Sequence, residues 1–229
     1  MNRRMARVID SEEYREKTRV FRDREHAGGL LAEKLEAYQS DPSALVVAIP
    51  AGGVPVGYEM SKKLGLPLEV AVTRKLHVPW NPEVGFGAVT WNGLVEVNQP
   101  RVQNLGLTDG QVEEVIEKEK KAIKQRISLY ERKEFPDIKG RHPILVDDGL
   151  ASGFSMLTTA RAVKLYNPGR VTVAVPTAPL RSIEMLRRHV DEIICLNIRS
   201  GLYFAVASAY RRWHDLTDEE VIGYLKESK

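Results

Sequence analysis

The stretch Ile144-Leu145-Val146-Asp147-Asp148-Gly149-Leu150-Ala151-Ser152-Gly153-Phe154-Ser155 decides how this chain is read. An apolar run with strand character delivers two adjacent carboxylates to its C-terminal end. A loop of small residues with two hydroxyls follows, and a helix then begins. Ligands of open α/β sheets sit outside the carboxyl ends of the strands. A helix N-terminus preceded by Gly and Ser offers unpaired backbone N–H groups and a favourable dipole for a phosphate. Gly153 lets the backbone approach an anion closely, and Ser152 and Ser155 add hydroxyl donors. Two aspartates beside an anion site make chemical sense once sugar hydroxyls or a divalent cation are included, since carboxylates serve both. A lone Asp-Asp pair would read as a solvated strand end. The whole ordered pattern asks for a phosphorylated sugar together with a metal.

Outward from that stretch, strands and helices alternate. On the N-terminal side, Ala44–Ile49 is a short apolar run ending at Pro50, and reads as a buried strand. Val54–Leu64 reads as a helix stopped near Gly65 and Pro67, and Leu68–Thr73 as a second strand. Phe86–Trp91 and Leu94–Val97 flank Asn92-Gly93, the pair best suited to a tight hairpin turn. Thr108-Asp109-Gly110-Gln111 has capping-box spacing. Apolar residues at helical spacing from Val112 to Ile127 then predict a long charged helix over Thr108–Arg132, ending before Pro136. Such a helix packs by one face, or serves as a contact with a partner.

On the C-terminal side, Pro143–Val146 reads as a strand, Phe154–Leu165 as a helix and Val171–Val175 as a strand. Pro179–Arg188 reads as a helix with proline near its first turn, and Glu192–Leu196 as a strand. Thr217-Asp218-Glu219-Glu220 is a second capping box opening a C-terminal helix. Near-continuous apolar strands separated by helices predict an α/β fold, a Rossmann-like parallel sheet covered on both faces. No internal repeat, low-complexity tract or clear linker interrupts it, so residues 1–229 are expected to form one domain. Within it, 75–135 would be a lid, hairpin and long-helix insertion, and 199–229 a small hood with the C-terminal helix.

Composition narrows the function classes. The chain has 229 residues, 43% apolar and 28% charged, with a net charge of +3. That charge is too small to argue for nucleic-acid binding. Cys195 is the one cysteine, so no internal disulfide framework exists, and its apolar setting reads as a buried strand position. No apolar run reaches the roughly 18–20 residues needed to span a bilayer. The basic start, Met1–Arg7, lacks a following apolar region. A cytoplasmic location is expected. Gly52 and Gly57 have Walker A spacing, but Tyr58-Glu59 replace its Lys and Ser/Thr. Neither Gly-x-Gly-x-x-Gly nor Gly-x-Ser-x-Gly occurs, and the five histidines show no metal-ligand spacing.

The Ile144–Ser155 stretch resembles the binding motif for 5-phosphoribosyl-1-pyrophosphate (PRPP) in type I phosphoribosyltransferases: an apolar strand, two acidic residues, then Ser/Thr-Gly-x-Ser/Thr. The resemblance implies that Ala151, Ser152, Gly153, Phe154 and Ser155 hold the 5′-phosphate. It implies that Asp147 and Asp148 face the ribose hydroxyls and help hold Mg²⁺. Ile49–Gly57 resembles the family's pyrophosphate loop, with backbone N–H groups of Ala51, Gly52 and Gly53 meeting pyrophosphate. Relatives often carry Arg where Ala51 stands, which leaves that contact to the backbone. Arg74 and Lys75, at the next strand end, would neutralise the leaving pyrophosphate. Arg74-Lys75-Leu76 through Gly87-Ala88-Val89 is similar to a less-characterised group of phosphoribosyltransferase-like proteins, found alone or fused to hydrolase-like domains.

The implied reaction transfers phosphoribosyl from Mg-PRPP to a purine or pyrimidine base. In the acceptor pocket, Tyr203, Phe204, Tyr210 and Trp213 would stack on the base and Arg199 would orient it. Lys75–Trp91, rich in Pro and Gly, is expected to be an irregular mobile lid with Glu83 as a candidate proton acceptor. Non-catalytic PRPP or nucleotide sensing, acting on RNA or a protein partner, is the alternative. A phosphohydrolase on the same fold is a weaker one. A homodimer is the assembly to expect if there is one.

Overall fold

The computed structural model describes residues 5–131, 134–201 and 203–228. Arg132, the expected end of the long helix, and the first four residues of the basic start lie outside them. The chain opens with β1 (Arg7–Ile9) and α1 (Arg24–Lys34), whose N-cap Asp23 accepts from the His26 amide. β2 (Ala44–Ala48) is buried throughout. α2 (Gly53–Leu64) ends at Gly65, which adopts the left-handed conformation of a helix stop.

β3 (Leu68–Val70) is followed by β4 (Thr73–Val78), β5 (Asn81–Thr90) and β6 (Val95–Val97). The Asn92-Gly93 turn joins the last two, with Gly93 at φ 85°. α3 (Gln99–Leu105) precedes α4 (Asp109–Leu129), which opens on the expected Thr108/Gln111 capping box. β7 (His142–Val146), α5 (Phe154–Lys164), β8 (Thr172–Pro179), α6 (Leu180–Leu186) and β9 (Glu192–Arg199) resume the alternation. α7 (Asp218–Glu227) begins at the Thr217/Glu220 capping box.

Six strands form a parallel sheet in the order β1-β9-β8-β7-β2-β3. Both faces are covered, which is why β2 and β7 read as unbroken apolar runs. Val46 and Ala48 pack with Leu31, Val54 and Met60 on one face. Leu45 and Val47 pack with Met156, Leu157 and Ile183 on the other. A fully buried aliphatic side chain contributes about 1.5–3 kcal/mol, against under about 1 kcal/mol for an exposed ion pair such as Lys120–Glu117. Burial therefore sets the strand register. Cys195 is buried as expected, and burial pushes its thiol upward. Among the described residues no helix is long and apolar enough to cross a membrane.

Three local expectations are corrected. The strand expected over Leu68–Thr73 is two strands: β3 stays in the parallel sheet, while β4 leaves it to pair antiparallel with β5. Lys75–Trp91 is consequently an ordered part of a three-stranded antiparallel sheet, β4-β5-β6, rather than an irregular loop. Its glycines disguise the strand but pack within it: a Cβ at Gly87 would lie 2.5 Å from the Glu96 carbonyl oxygen and 2.8 Å from Leu76. Finally, the strand expected over Val171–Val175 is longer, β8 running to Pro179, and the helix expected over Pro179–Arg188 is shorter, α6 running Leu180–Leu186 with Pro179 as its extended N-cap. A proline lacks the N–H a ladder needs, and here Val175 and Thr177 hold the pairing with β9 on either side of Pro176.

Candidate active site

The carboxyl ends of β2 and β7 open into a cleft of about 430 Å³. Ala51, Gly52, Arg74, Lys75, Asp147, Asp148, Ala151 and Ser155 all line it, so residues far apart in the chain meet in one space. Ser152, Gly153 and Phe154 join Ala151, Ser155, Lys75 and Asp147 around a smaller cradle of about 30 Å³ within the loop. Gly53 stands apart. It lines neither space, its amide donates to the Ile49 carbonyl at 3.0 Å, and a Cβ there would lie 2.6 Å from the Val146 oxygen. Its role is close packing of the loop on β7, and the anion-binding amide expected of it is already engaged.

The β7–α5 loop is shaped by Gly153 and held from behind by α6. Gly153 takes φ 74°, a left-handed conformation that favours glycine. A Cβ there would also press on Met185 and Ser182. Ser182 of α6 donates to the Ala151 carbonyl at 3.0 Å and pins the loop from behind. The Leu150 and Phe154 amides are used, on Thr177 O and Ser152 Oγ. Among the described residues, the amides of Ala151, Ser152, Gly153 and Ser155 make no hydrogen bond. The Ser155 hydroxyl is buried without a partner. A buried unpaired hydroxyl costs about 1–3 kcal/mol, and an anion in the cradle would satisfy it.

Asp147 lines both the cradle and the cleft, and Asp148 lines the cleft. The Asp148 amide donates to Asp147 Oδ1 at 2.9 Å, fixing the pair. Burial, then the neighbouring Asp148 charge, raises the Asp147 carboxyl well above the usual carboxylate range. Burial also raises Asp148, opposed by a guanidinium that sequence reasoning missed. Arg24 of α1 places Nε 2.9 Å from Asp148 Oδ2 and donates through Nη1 to the His214 carbonyl at 3.0 Å. Its guanidinium lies 3.9 Å from the Trp213 ring centroid. One signal could have found it. Arg24 opens a helix, where a cation opposes the macrodipole, so its place there needed another reason.

The β2–α2 loop closes the cleft on the other side, and the Pro50–Ala51 peptide is cis. Among the described residues the Ala51 and Gly52 amides make no hydrogen bond. Gly52 touches the acid pair directly: a Cβ there would lie 2.0 Å from Asp148 Oδ2. Only glycine lets this loop and that carboxylate share the space.

The chain as a whole is similar to known proteins. The family model described as "Phosphoribosyl transferase domain" matches residues 22–209. The chain belongs to this family. It is 33% identical over 208 residues to two Mycobacterium tuberculosis proteins whose names assign them provisionally as phosphoribosyl transferases. The match covers 90% of this chain and 46% of theirs, so the chain spans about half the length of these curated relatives. The crystal structure of TT1426 from Thermus thermophilus is 35% identical, with a TM-score of 0.72, covering 90% of this chain and 98% of that one.

Seen as a phosphoribosyl transferase domain, the chain departs from expectation at two places. Arg74 and Lys75 both reach the cleft, but Arg74 bonds the buried Glu119 carboxylate of α4. Its charge is largely balanced before any ligand arrives. Lys75 makes no ion pair among the described residues. The aromatic hood is also different. Tyr203 is 91% exposed, and Phe204 lies under Arg199 at 5.4 Å. Tyr210 is buried, packed on Phe21, and donates to the Asp148 carbonyl at 2.6 Å. Of the four rings only Trp213 lines the cleft, and Arg24 covers it. Arg199 bonds Ser208 Oγ. Tyr210 braces Asp148 through its hydroxyl, and Val206, Leu216 and Trp213 line the cleft at this end.

Proposed function

We propose that this chain binds Mg-PRPP and transfers its phosphoribosyl group to a nitrogenous base, releasing pyrophosphate. The observation that carries the reading is the buried, unpartnered Ser155 hydroxyl in a cradle of unspent amides that Asp147 also lines, next to a cleft lined by both Asp147 and Asp148. The cradle takes the 5′-phosphate, and Lys75 adds a charge-assisted bond to it or to the pyrophosphate. Asp147 and Asp148 accept from the ribose hydroxyls and favour positive charge developing at C1. The Ala51 and Gly52 amides receive the departing pyrophosphate.

Mg²⁺ suits this donor set, because it takes one or two carboxylates and fills the remaining positions with substrate oxygens and water. Asp147 and Asp148 would hold it, and each keeps an oxygen beyond the one its internal bond uses. When bound, the ion supplies charge neutralisation for the pyrophosphate oxygens.

One observation favours the sensor reading as the second possibility. Arg74 is balanced by Glu119, and Arg24 by Asp148, so the pyrophosphate side carries little free positive charge. Tight PRPP binding without turnover would follow. Incubation of Mg-PRPP with a panel of purine and pyrimidine bases separates the two. Pyrophosphate release dependent on one base supports transfer. Binding without release from any base leaves the sensor.

A further inference from the structure

A second cavity, of about 380 Å³, opens on the outer wall of the phosphate loop. It lies between that loop, the β4–β5 hairpin and α3. Lys75, His77, Glu83, Arg101, Ala151 and Ser152 line it, whereas Asp147 and Asp148 do not. Lys75, Ala151 and Ser152 also line the cradle, so the two spaces share a wall made by the loop.

The charge distribution singles this cavity out. In the main cleft the guanidinium groups are committed: Arg24 to Asp148, Arg74 to Glu119 and Arg126 to Asp218. Lys75 and Arg101 form no ion pair among the described residues, and both face the second cavity. Glu83 is the one carboxylate among its lining residues, so two cations stand against one anion. Burial, then Lys75, pushes the His77 imidazole down, which leaves it neutral at pH 7 with one N–H to donate. The cradle itself has room for about two waters, or one tetrahedral anion. A further phosphate on the 5′ side would have to pass the loop, and would meet Lys75 and Arg101 there.

Resting on the phosphoribosyl reading of the cradle, we propose that this cavity is a second phosphate subsite. It takes the β-phosphate of a ribosyl 5′-diphosphate whose first phosphate sits in the cradle. Arg101 presents a planar fork of donors to the terminal phosphate oxygens. Lys75 bridges the two phosphates. Free inorganic phosphate shares this chemistry and is separated by the test.

The test is calorimetric titration of AMP and ADP into the wild-type chain and Arg101→Gln, with inorganic phosphate titrated onto the AMP complex. ADP is expected to bind at least about tenfold tighter than AMP to the wild type. In Arg101→Gln the two should fall within about twofold, with AMP affinity unchanged. Equal binding of AMP and ADP by the wild type, or an ADP advantage that survives in Arg101→Gln, overturns the proposal. Arg101-dependent phosphate binding to the AMP complex, with ADP no better than AMP, assigns the subsite to the free ion and overturns the 5′-diphosphate form. If AMP binds and ADP gains nothing, the cradle stands and the subsite falls; if neither nucleotide binds, both fall.

Discussion

Arg24 Nε lies 2.9 Å from Asp148 Oδ2, joining two residues 124 positions apart in the chain. Both side chains are nearly buried, at 8% and 13% exposure. Removing one partner of such a pair leaves an uncompensated charge, at a cost of about 3 kcal/mol or more. Arg24→Met is therefore expected to lose about 3 kcal/mol of unfolding free energy, read from the urea midpoint. Arg24→Lys should lose less, because charge is kept while the stack on Trp213 is given up. An Arg24→Met midpoint equal to wild type would show that the pair contributes nothing to stability.

Gly52 sets the distance between the β2–α2 loop and Asp148. Its φ of −58° suits alanine, so Gly52→Ala acts through the clash with Asp148 and not through backbone strain. We expect at least about tenfold weaker PRPP binding and about 1–3 kcal/mol of destabilisation from overpacking. Gly223→Ala is the control: nothing lies within 4 Å of a Cβ there. In the interior of α7 it should stabilise by up to about 1 kcal/mol and leave binding alone. Matching effects from both substitutions would contradict this account of Gly52.

Arg74 is paired with Glu119, which would compete with a ligand for it. Glu119→Gln keeps a hydrogen-bond acceptor but removes the opposing charge. Pyrophosphate should then bind several-fold more tightly, measured as a lower inhibition constant against PRPP. Unchanged or weaker pyrophosphate binding would place the Arg74 guanidinium outside the ligand's reach.

His142 lies buried on β7 with Nε2 2.8 Å from Thr172 Oγ1. Burial, then Arg170, pushes its imidazole below the usual value of about 6.5. Below that value the unfolded chain binds a proton the folded chain resists. This contribution to stability is thus complete above about pH 6.5 and is lost as pH falls toward the folded-state value. His77 is shifted in the same direction, so the comparison is with His142→Gln. That variant should show a shallower loss of stability between about pH 7 and 5. A slope identical to wild type would mean His142 titrates alike in both states.

Much of this was legible in the sequence. The buried parallel strands announce themselves as apolar runs, since both faces are covered, and both capping boxes formed where their spacing placed them. The Asp147–Ser155 order placed the two carboxylates and the small-residue loop between the end of β7 and the start of α5. What escaped depends on tertiary partners. β4 and β5 were hidden because Gly85, Gly87 and Pro82 carry the marks of a loop, whereas the packing of Gly87 against Leu76 and Glu96 is visible only in three dimensions. The commitment of Arg74 to Glu119 needs α4 folded across β4. Arg24 belongs to the cleft only because α1 lies beside the hood, and no local pattern records that. The hood aromatics looked alike in the sequence, yet Tyr203 is in solvent, Phe204 lies half-buried under Arg199, Tyr210 is packed inward and Trp213 lines the cleft.

The most direct measurement is calorimetric titration of PRPP, with and without Mg²⁺, into the wild-type chain and an Asp147→Asn/Asp148→Asn variant. The account predicts Mg²⁺-dependent binding by the wild type, weakened at least about a hundredfold in the variant. No binding by the wild type, or binding indifferent to both the metal and the two carboxylates, would contradict it.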